Sequence, residues 1–265
     1  MRFIQHKAEA FWFYRFLSPL YDRWVNPLFW TGPMRDAALE LADLDSRGLR
    51  TLDVGAGTGF ATEGIVARVD PANVTMLDQS PHQLGRARRK PALEGATMVL
   101  GDAEDLPFET DSFDRYVSCG SIEYWPDPQR AVAEAYRVVK PGGVALVVGP
   151  LPPEKPLARK LADAWMLFPP EADYRAWMER AGFEDVRAEY VRWHDAERYG
   201  IAIAGTKRAP GPSPAAAPLK ERRHEPMTLR RRAAFAGRFV AGSVAGAAFV
   251  PVGVVASIRA RRRRP

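Results

Sequence analysis

The sequence predicts an α/β domain built on a seven-stranded, mostly parallel sheet with helices on both faces. Three observations point there. Short apolar runs alternate with helical stretches, a glycine-rich turn joins the first run to the first helix, and acidic residues stand at the ends of the next two runs. Strand followed by helix, repeated, is the pattern of a parallel sheet, because consecutive parallel strands need a crossover between them.

In chain order, residues 1–45 read as two helical stretches punctuated by Ser18-Pro19, Asn26-Pro27 and Gly32-Pro33, and are expected to form an N-terminal helical lid. Buried strands are expected at 51–54, 74–78, 97–100, 115–118 and 144–148, with helices at 60–69, 81–90 and 127–138 between them. Ser80-Pro81 marks the second helix as a cap followed by a first turn. Helices over 156–168 and 172–181 and strands over 186–191 and 201–206 complete the seven, so residues 46–206 form the main domain. The segment 207–232, with its RAPGPSPAAAP run, has linker composition and is expected to carry little fixed structure. It leads to a hydrophobic tail, 233–265, in which residues 239–258 carry no charge and are closed by Arg259 and Arg261 to Arg264.

Composition narrows the function. At 46% apolar and 11% aromatic residues the chain can bury a sizeable core, which excludes global disorder. The net charge of +6 is uneven: the chain from Lys207 onward carries +12 and the part before it −6. An acidic body is a poor binder of phosphate backbones, so no specific nucleic-acid partner is expected. A single cysteine, Cys119, rules out an intrachain disulfide and a thiolate zinc cluster, and reads as a small packing residue rather than a nucleophile. The four histidines lack metal-ligand spacing, and no metal is expected. Residues 1–17 are interrupted by Lys7, Glu9 and Arg15 and do not form a signal peptide. The uncharged tail is long enough to cross about 30 Å of hydrocarbon, but a span would send its terminal arginines outward from the cytoplasm, against the positive-inside tendency. A shallow or re-entrant anchor on an anionic membrane, with the catalytic domain facing the cytoplasm, fits better. Packing on a second protomer through Gly242 and Gly246, giving a homodimer, is the alternative.

The strongest motif is LDVGAGTGF, residues 52–60, where the first strand meets the first helix. Its glycines, Gly55, Gly57 and Gly59, follow a Gly-x-Gly-x-Gly spacing. That departs from the Gly-x-Gly-x-x-Gly that holds a dinucleotide pyrophosphate, so NAD is the weaker choice. They provide a turn free of side chains against which a ligand can lie, with Asp53 placed to meet a cationic group. Nineteen residues after Gly59 the second strand ends in Asp78, followed by Gln79, where an acceptor reaches ribose hydroxyls. The third strand ends in Gly101-Asp102-Ala103, where an acidic side chain can accept from an adenine amino group, and the fourth delivers Ser118 to the same edge. Cation, ribose and adenine together describe S-adenosyl-L-methionine, which carries both an ammonium and a sulfonium.

LDVGAGTGF, Asp78 and GDAEDLPF resemble the class I S-adenosylmethionine methyltransferases, a Rossmann-like fold. RFIQHKAEAFWFYRFLSPLYD, LDQSPHQL, GDAEDLPF and SIEYWPDPQRAVAEAYRVVKPGG are similar to the 2-methyl-6-phytyl-1,4-benzoquinol and 2-methyl-6-solanesyl-1,4-benzoquinol methyltransferases of tocopherol and plastoquinone synthesis. The resemblance covers about residues 2–206 and, more loosely, the tail. It implies C-methylation of a lipid-soluble prenylated quinol; demethylmenaquinol, a soluble phenol or a catalytically silent membrane scaffold are the alternatives. Ring methylation needs in-line approach of an electron-rich carbon to the sulfonium methyl, so positioning can carry most of the catalysis. Glu123, His6 and Tyr21 are the candidates to accept the quinol proton, directly or through water, and each also admits a structural reading. The aromatic residues Phe3, Phe11, Trp12, Phe13, Tyr14 and Phe16 belong either to a helix packed into the core or, as the resemblance favours, to a lid that lines an apolar acceptor pocket on one side and rests on lipid on the other.

Overall fold

A strand that is apolar toward both sides needs cover on both, and β1 (Thr51–Val54), buried at each position, accordingly lies inside the sheet between two neighbours. The computed structural model describes residues 30–154, 156, 158–160, 167–193 and 196–216, together with positions 233, 234, 236, 237, 240 and 244. Within them β2 (Val74–Asp78), β3 (Thr97–Leu100), β4 (Phe113–Cys119), β5 (Val139–Pro150), β6 (Glu184–Trp193) and β7 (Ala196–Thr206) join β1 in one sheet of order β3-β2-β1-β4-β5-β7-β6. β1 to β5 run parallel, while β7 lies antiparallel to both β5 and β6.

Five α-helices are described: α1 (Gly32–Leu39), α2 (Phe60–Val66), α3 (Pro81–Ala87), α4 (Pro128–Val138) and α5 (Glu171–Ala181). Alternate strand residues feed core clusters on the two faces of the sheet, with a smaller third one around Met76 and Leu84. Leu52, Tyr116 and Val147 join Val132, Tyr136 and Met178 on the α4 and α5 face, whereas Val117, Leu146 and Val148 join Leu39 and Ile65 on the α1 and α2 face. The α3 and α4 starts are set by local chemistry. Ser80 accepts from Gln83 N at 3.4 Å and Asp127 from Arg130 N at 3.2 Å, each followed by a proline that has no N–H to lose.

β1, β2 and β3 occupy the expected residues. β4 and β5 run longer than expected, because Phe113 pairs with Val139 ahead of an irregularity in the ladder. The expected helix over 156–168 is helical at 156 and 158–160, residues 161–166 lie outside the described residues, and 167 and 168 are not helical.

Two domain boundaries are corrected. Residues 32–42 are not part of a separate lid: Ala38, Leu39, Leu41 and Ala42 are buried in the core beside Ile65 and Val69. Residues 1–29 lie outside the described residues. The expected linker is fixed over its first ten residues. Lys207 is fully buried, with Nζ donating to Tyr136 O at 2.9 Å and Gly211 O at 2.7 Å, and to Asp111 Oδ1 at 2.5 Å. Gly211 N donates to Asp111 Oδ2 and Ser213 Oγ to Ala181 O, so the chain is latched as far as Ala216. A buried ammonium is tolerated when all its protons have acceptors, and two of these, Asp111 and Tyr136, come from distant parts of the chain.

Candidate active site

The order of the sheet reverses between β1 and β4, and a crevice for a ligand is expected at the carboxyl ends of such strands. The glycine turn leaves β1 there and is tied to β2: Gly55 N and Ala56 N both donate to Leu77 O, at 2.8 and 3.1 Å. Gly55 has φ +70°, and a Cβ on it would fall 2.4 Å from the Ser121 side chain, so the turn packs directly on the residues after β4. Gly57, at φ +55°, is different. A Cβ there would meet nothing nearer than Gly55 O at 4.0 Å, which leaves open space over bare backbone. Gly59 caps α2, its carbonyl accepting from Glu63 N at 2.9 Å.

Three carboxylates stand at or just beyond the carboxyl ends of β2, β1 and β4. Asp78, at the end of β2, accepts from Gly57 N at 2.9 Å through Oδ2 and from Ser80 N at 2.8 Å through Oδ1. It therefore holds the turn in shape. Burial raises its pKa while the two N–H groups oppose that. Two of its four lone-pair positions are used, so capacity remains for hydroxyl donors. Asp53 is wholly buried on β1; its Oδ2 accepts from Thr62 Oγ1 at 2.6 Å, and its Oδ1 has no partner. Burial, with Asp78 adding to it, pushes its pKa up to about 7. Glu123, in the short turn Ile122–Tyr124 after β4, is raised by burial to about 7 as well, and its Oε2 has no partner.

Of the other expected residues, Gln79 follows Asp78 at a half-buried position. Asp102 accepts from Glu104 N at 3.0 Å and Ala103 is buried beside it, on a loop tied to β2 by Gly101 N donating to Asp78 O at 3.1 Å. Ser118 is fully buried, and its hydroxyl lies 2.7 Å from that of Ser121, the residue that packs against Gly55. His6 and Tyr21 lie outside the described residues. Burial drives the Cys119 thiol well above its ordinary pKa, as a packing residue requires. Among the described residues no group of three or more His, Cys, Asp or Glu could hold a metal ion.

Several participants gave no sequence signal. Thr62 and Ser121 act across nine and sixty-seven residues of chain, onto Asp53 and onto Val54 O at 3.4 Å. The acidic and apolar run after Asp102 is fastened to α4: Glu104 accepts from Asp127 N, Leu106 N donates to Glu134, and Arg137 donates to Leu106 O and Phe108 O. Arg35 on α1 donates to Phe60 O at 3.1 Å and stacks over the Phe60 ring, bringing a cation to the start of α2.

The arrangement suits S-adenosylmethionine: an open glycine floor at Gly57, a β2 carboxylate with free lone pairs, and a buried β1 carboxylate whose unpartnered oxygen would gain most from a cation. When bound, that molecule supplies a methyl group on a positively charged sulfur.

Comparison with known proteins agrees. Residues 52–147 match a family model described as a methyltransferase domain. A 2-methyl-6-phytyl-1,4-hydroquinone methyltransferase 2 of Oryza sativa subsp. japonica, named chloroplastic, is 60% identical over 80% of this chain and 63% of its own length. The corresponding methyltransferase 1 from the same plant, also named chloroplastic, is 53% identical over 95% of this chain and 78% of its own length. Among solved structures, a SAM-dependent methyltransferase from Thermotoga maritima shares the fold with a TM-score of 0.61 at 22% identity, covering 75% of this chain and 100% of that one. Geranyl diphosphate C-methyltransferase from Streptomyces coelicolor, solved with S-adenosyl-L-homocysteine, has a TM-score of 0.57 at 12% identity over 66% of this chain and 78% of its own.

Proposed function

Because the chain belongs to the 2-methyl-6-phytyl-1,4-hydroquinone methyltransferase family, we propose that it places a methyl group from S-adenosylmethionine on a ring carbon of a lipid-borne prenylated quinol. The observation that carries this reading is the extent of the likeness, which runs through the segments on either side of the cofactor fold and not through the glycine turn alone. In this reading Asp78 accepts from the ribose hydroxyls, Asp53 faces the cationic end of the cofactor, and Asp102 receives the adenine amino group. The quinol enters over the residues that follow β4.

The partner we infer is an anionic membrane surface, contacted by the tail 233–265. Its uncharged run and its arginines support this, although among the described residues no helix is long and apolar enough to cross a membrane. The test compares the full chain with one ending at Ala216, which keeps the latch on Lys207. Both should bind S-adenosylmethionine equally by calorimetric titration. The full chain should sediment with vesicles of anionic lipid and methylate 2-methyl-6-phytyl-1,4-hydroquinone carried in them, while the shortened chain stays in the supernatant and turns over only detergent-dispersed quinol. Equal turnover on vesicles would remove the tail from substrate delivery, and absence of methylated quinol in both assays would refute the substrate.

A further inference from the structure

Glu123 is held where few carboxylates are tolerated. Ile122 and Tyr124 on either side of it are buried, as is Trp125, so the turn is pinned to the core and the Glu123 backbone is fixed, with its carbonyl accepting from Leu167 N at 3.4 Å. The side chain folds back toward the end of β4, where a Cβ added to Gly120 would lie 3.9 Å from its Oε1. Among the described residues, the hydrogen bond that opposes the effect of burial comes from its own backbone N–H, and Oε2 has neither partner nor solvent.

The groups around it do not satisfy that oxygen. Tyr174 on α5 feels the Glu123 charge, yet its hydroxyl donates to Pro150 O at 3.0 Å; Asp173 beside it is also acidic. Cys119 on β4 is a neutral thiol, raised by burial and by Asp53 and Glu123. Asp53 on β1 and Arg35 on α1 both act on Cys119, and Arg35 is bonded to Asp36. Among the described residues no cation forms an ion pair with Glu123. A buried polar atom without a partner is costly and uncommon, and it gains its partner when a ligand arrives. Two such atoms belong to Asp53 on β1 and to Glu123 just after β4, the neighbouring strands between which the sheet order reverses. Asp53 stands two residues before the glycine turn, where the cofactor is expected. Glu123 acts on Tyr174 of α5.

We propose that Glu123 accepts the ring-hydroxyl proton of the quinol as the ring carbon is methylated, an inference that rests on the quinol reading above. The ring's π pair forms the new carbon–carbon bond to the methyl group, and the pair of the broken carbon–sulfur bond stays on sulfur as a neutral thioether. The hydroxyl proton passes to Glu123 Oε2, so the methylated ring is a neutral dienone and not a cation. Loss of the ring C–H proton to water, with protonation of the ring oxygen, restores aromaticity, and Glu123 returns one proton to solvent. A carboxyl that ionises near neutral pH is matched to this task, because it is free to accept a proton at working pH yet is basic enough to hold it.

The test uses the full chain and detergent-dispersed 2-methyl-6-phytyl-1,4-hydroquinone. Glu123→Gln should lower kcat by about 10²-fold or more, with S-adenosylmethionine affinity unchanged and the melting temperature unchanged or raised. Glu123→Asp should restore part of the rate. Wild-type kcat should rise with pH through about 7, and Glu123→Gln should lack that limb. A Gln variant within about threefold of wild type, or a wild-type rate flat across neutral pH, would overturn the proposal while leaving the substrate intact. A wild-type chain that binds the cofactor yet never methylates the quinol would instead overturn the substrate reading, and this assignment with it.

Discussion

The ends of β2 and β4 hold carboxylates of opposite kinds. Asp78 has both oxygens engaged by backbone N–H groups of the turn it supports, whereas Glu123 keeps one oxygen buried without a partner. Asp53, on the strand between them, is intermediate, with one oxygen bonded to Thr62 and one open. Across three adjacent strands the crevice passes from a finished scaffold to groups that await a ligand. A carboxylate that shapes backbone costs both structure and binding when removed, whereas one left unsatisfied costs function and can return stability.

That contrast can be broken most decisively at the glycine floor. Gly57→Val should abolish S-adenosylmethionine binding by titration, because its side chain would enter the open space above the turn. Its folding cost should stay at about 1 to 2 kcal/mol, from the positive φ. Retained binding would place the cofactor elsewhere.

The next effect in size is at Asp53, and its sign is opposite to that of a salt-bridged acid. Unfolded, the group titrates near 3.8; folded, it titrates near about 7. Between those values the folded chain holds a proton that the unfolded chain has released, so stability falls as pH rises across that window and levels above it. Asp53→Asn should match wild type near pH 4 and exceed it near pH 8 by about 2 to 4 kcal/mol in denaturant melts. Cofactor affinity in the wild type should climb through about pH 7 as a cation draws out the anion, and should be flat in the variant. A variant less stable than wild type near pH 8 would mean that Asp53 is satisfied.

At Asp78 the prediction is a loss on both counts: Asp78→Ala should weaken cofactor binding by about 1.5 to 3 kcal/mol and lower the melting point, with Asp78→Asn between the two. Binding loss without any change in melting would separate the two functions assigned to it. The smallest effects come from glycines away from the crevice. Gly142→Ala should cost about 1 kcal/mol because its φ is +81° in otherwise open space, and Gly85→Ala, inside α3 with room around it, should gain up to about 1 kcal/mol. Neither should move cofactor affinity.

What could be read in the sequence followed from local chemistry. β1, β2 and β3 were legible because each is a short apolar run bounded by a turn or a cap, and Asp78 because doubly wound folds place an acceptor at that spacing. The latch at Lys207 was not legible. A run rich in proline, glycine and alanine reads as linker, and what fixes it is an ammonium whose acceptors lie at Asp111 and Tyr136, 96 and 71 residues away in the chain. Thr62 and Ser121 were missed for the same reason: a hydroxyl in an apolar stretch says nothing of the carboxylate or carbonyl that will accept from it.

The reversed direction of β7 decides where the tail is moored. Thr206 pairs with Val144 and Gly142 N donates to Lys207 O, in the first half of β5, so the chain leaves the sheet at the end opposite the crevice, and the Lys207 latch keeps it there to Ala216. From that mooring, the chain length of residues 217–232 sets a reach of at most about 55 Å at full extension. Between Val144 and Pro150 the sheet rises only about 20 Å. Under the membrane reading, that reach would let the crevice face the bilayer although the chain leaves the sheet behind it. Deleting most of residues 217–232 would then hold the same domain with its mouth turned to water.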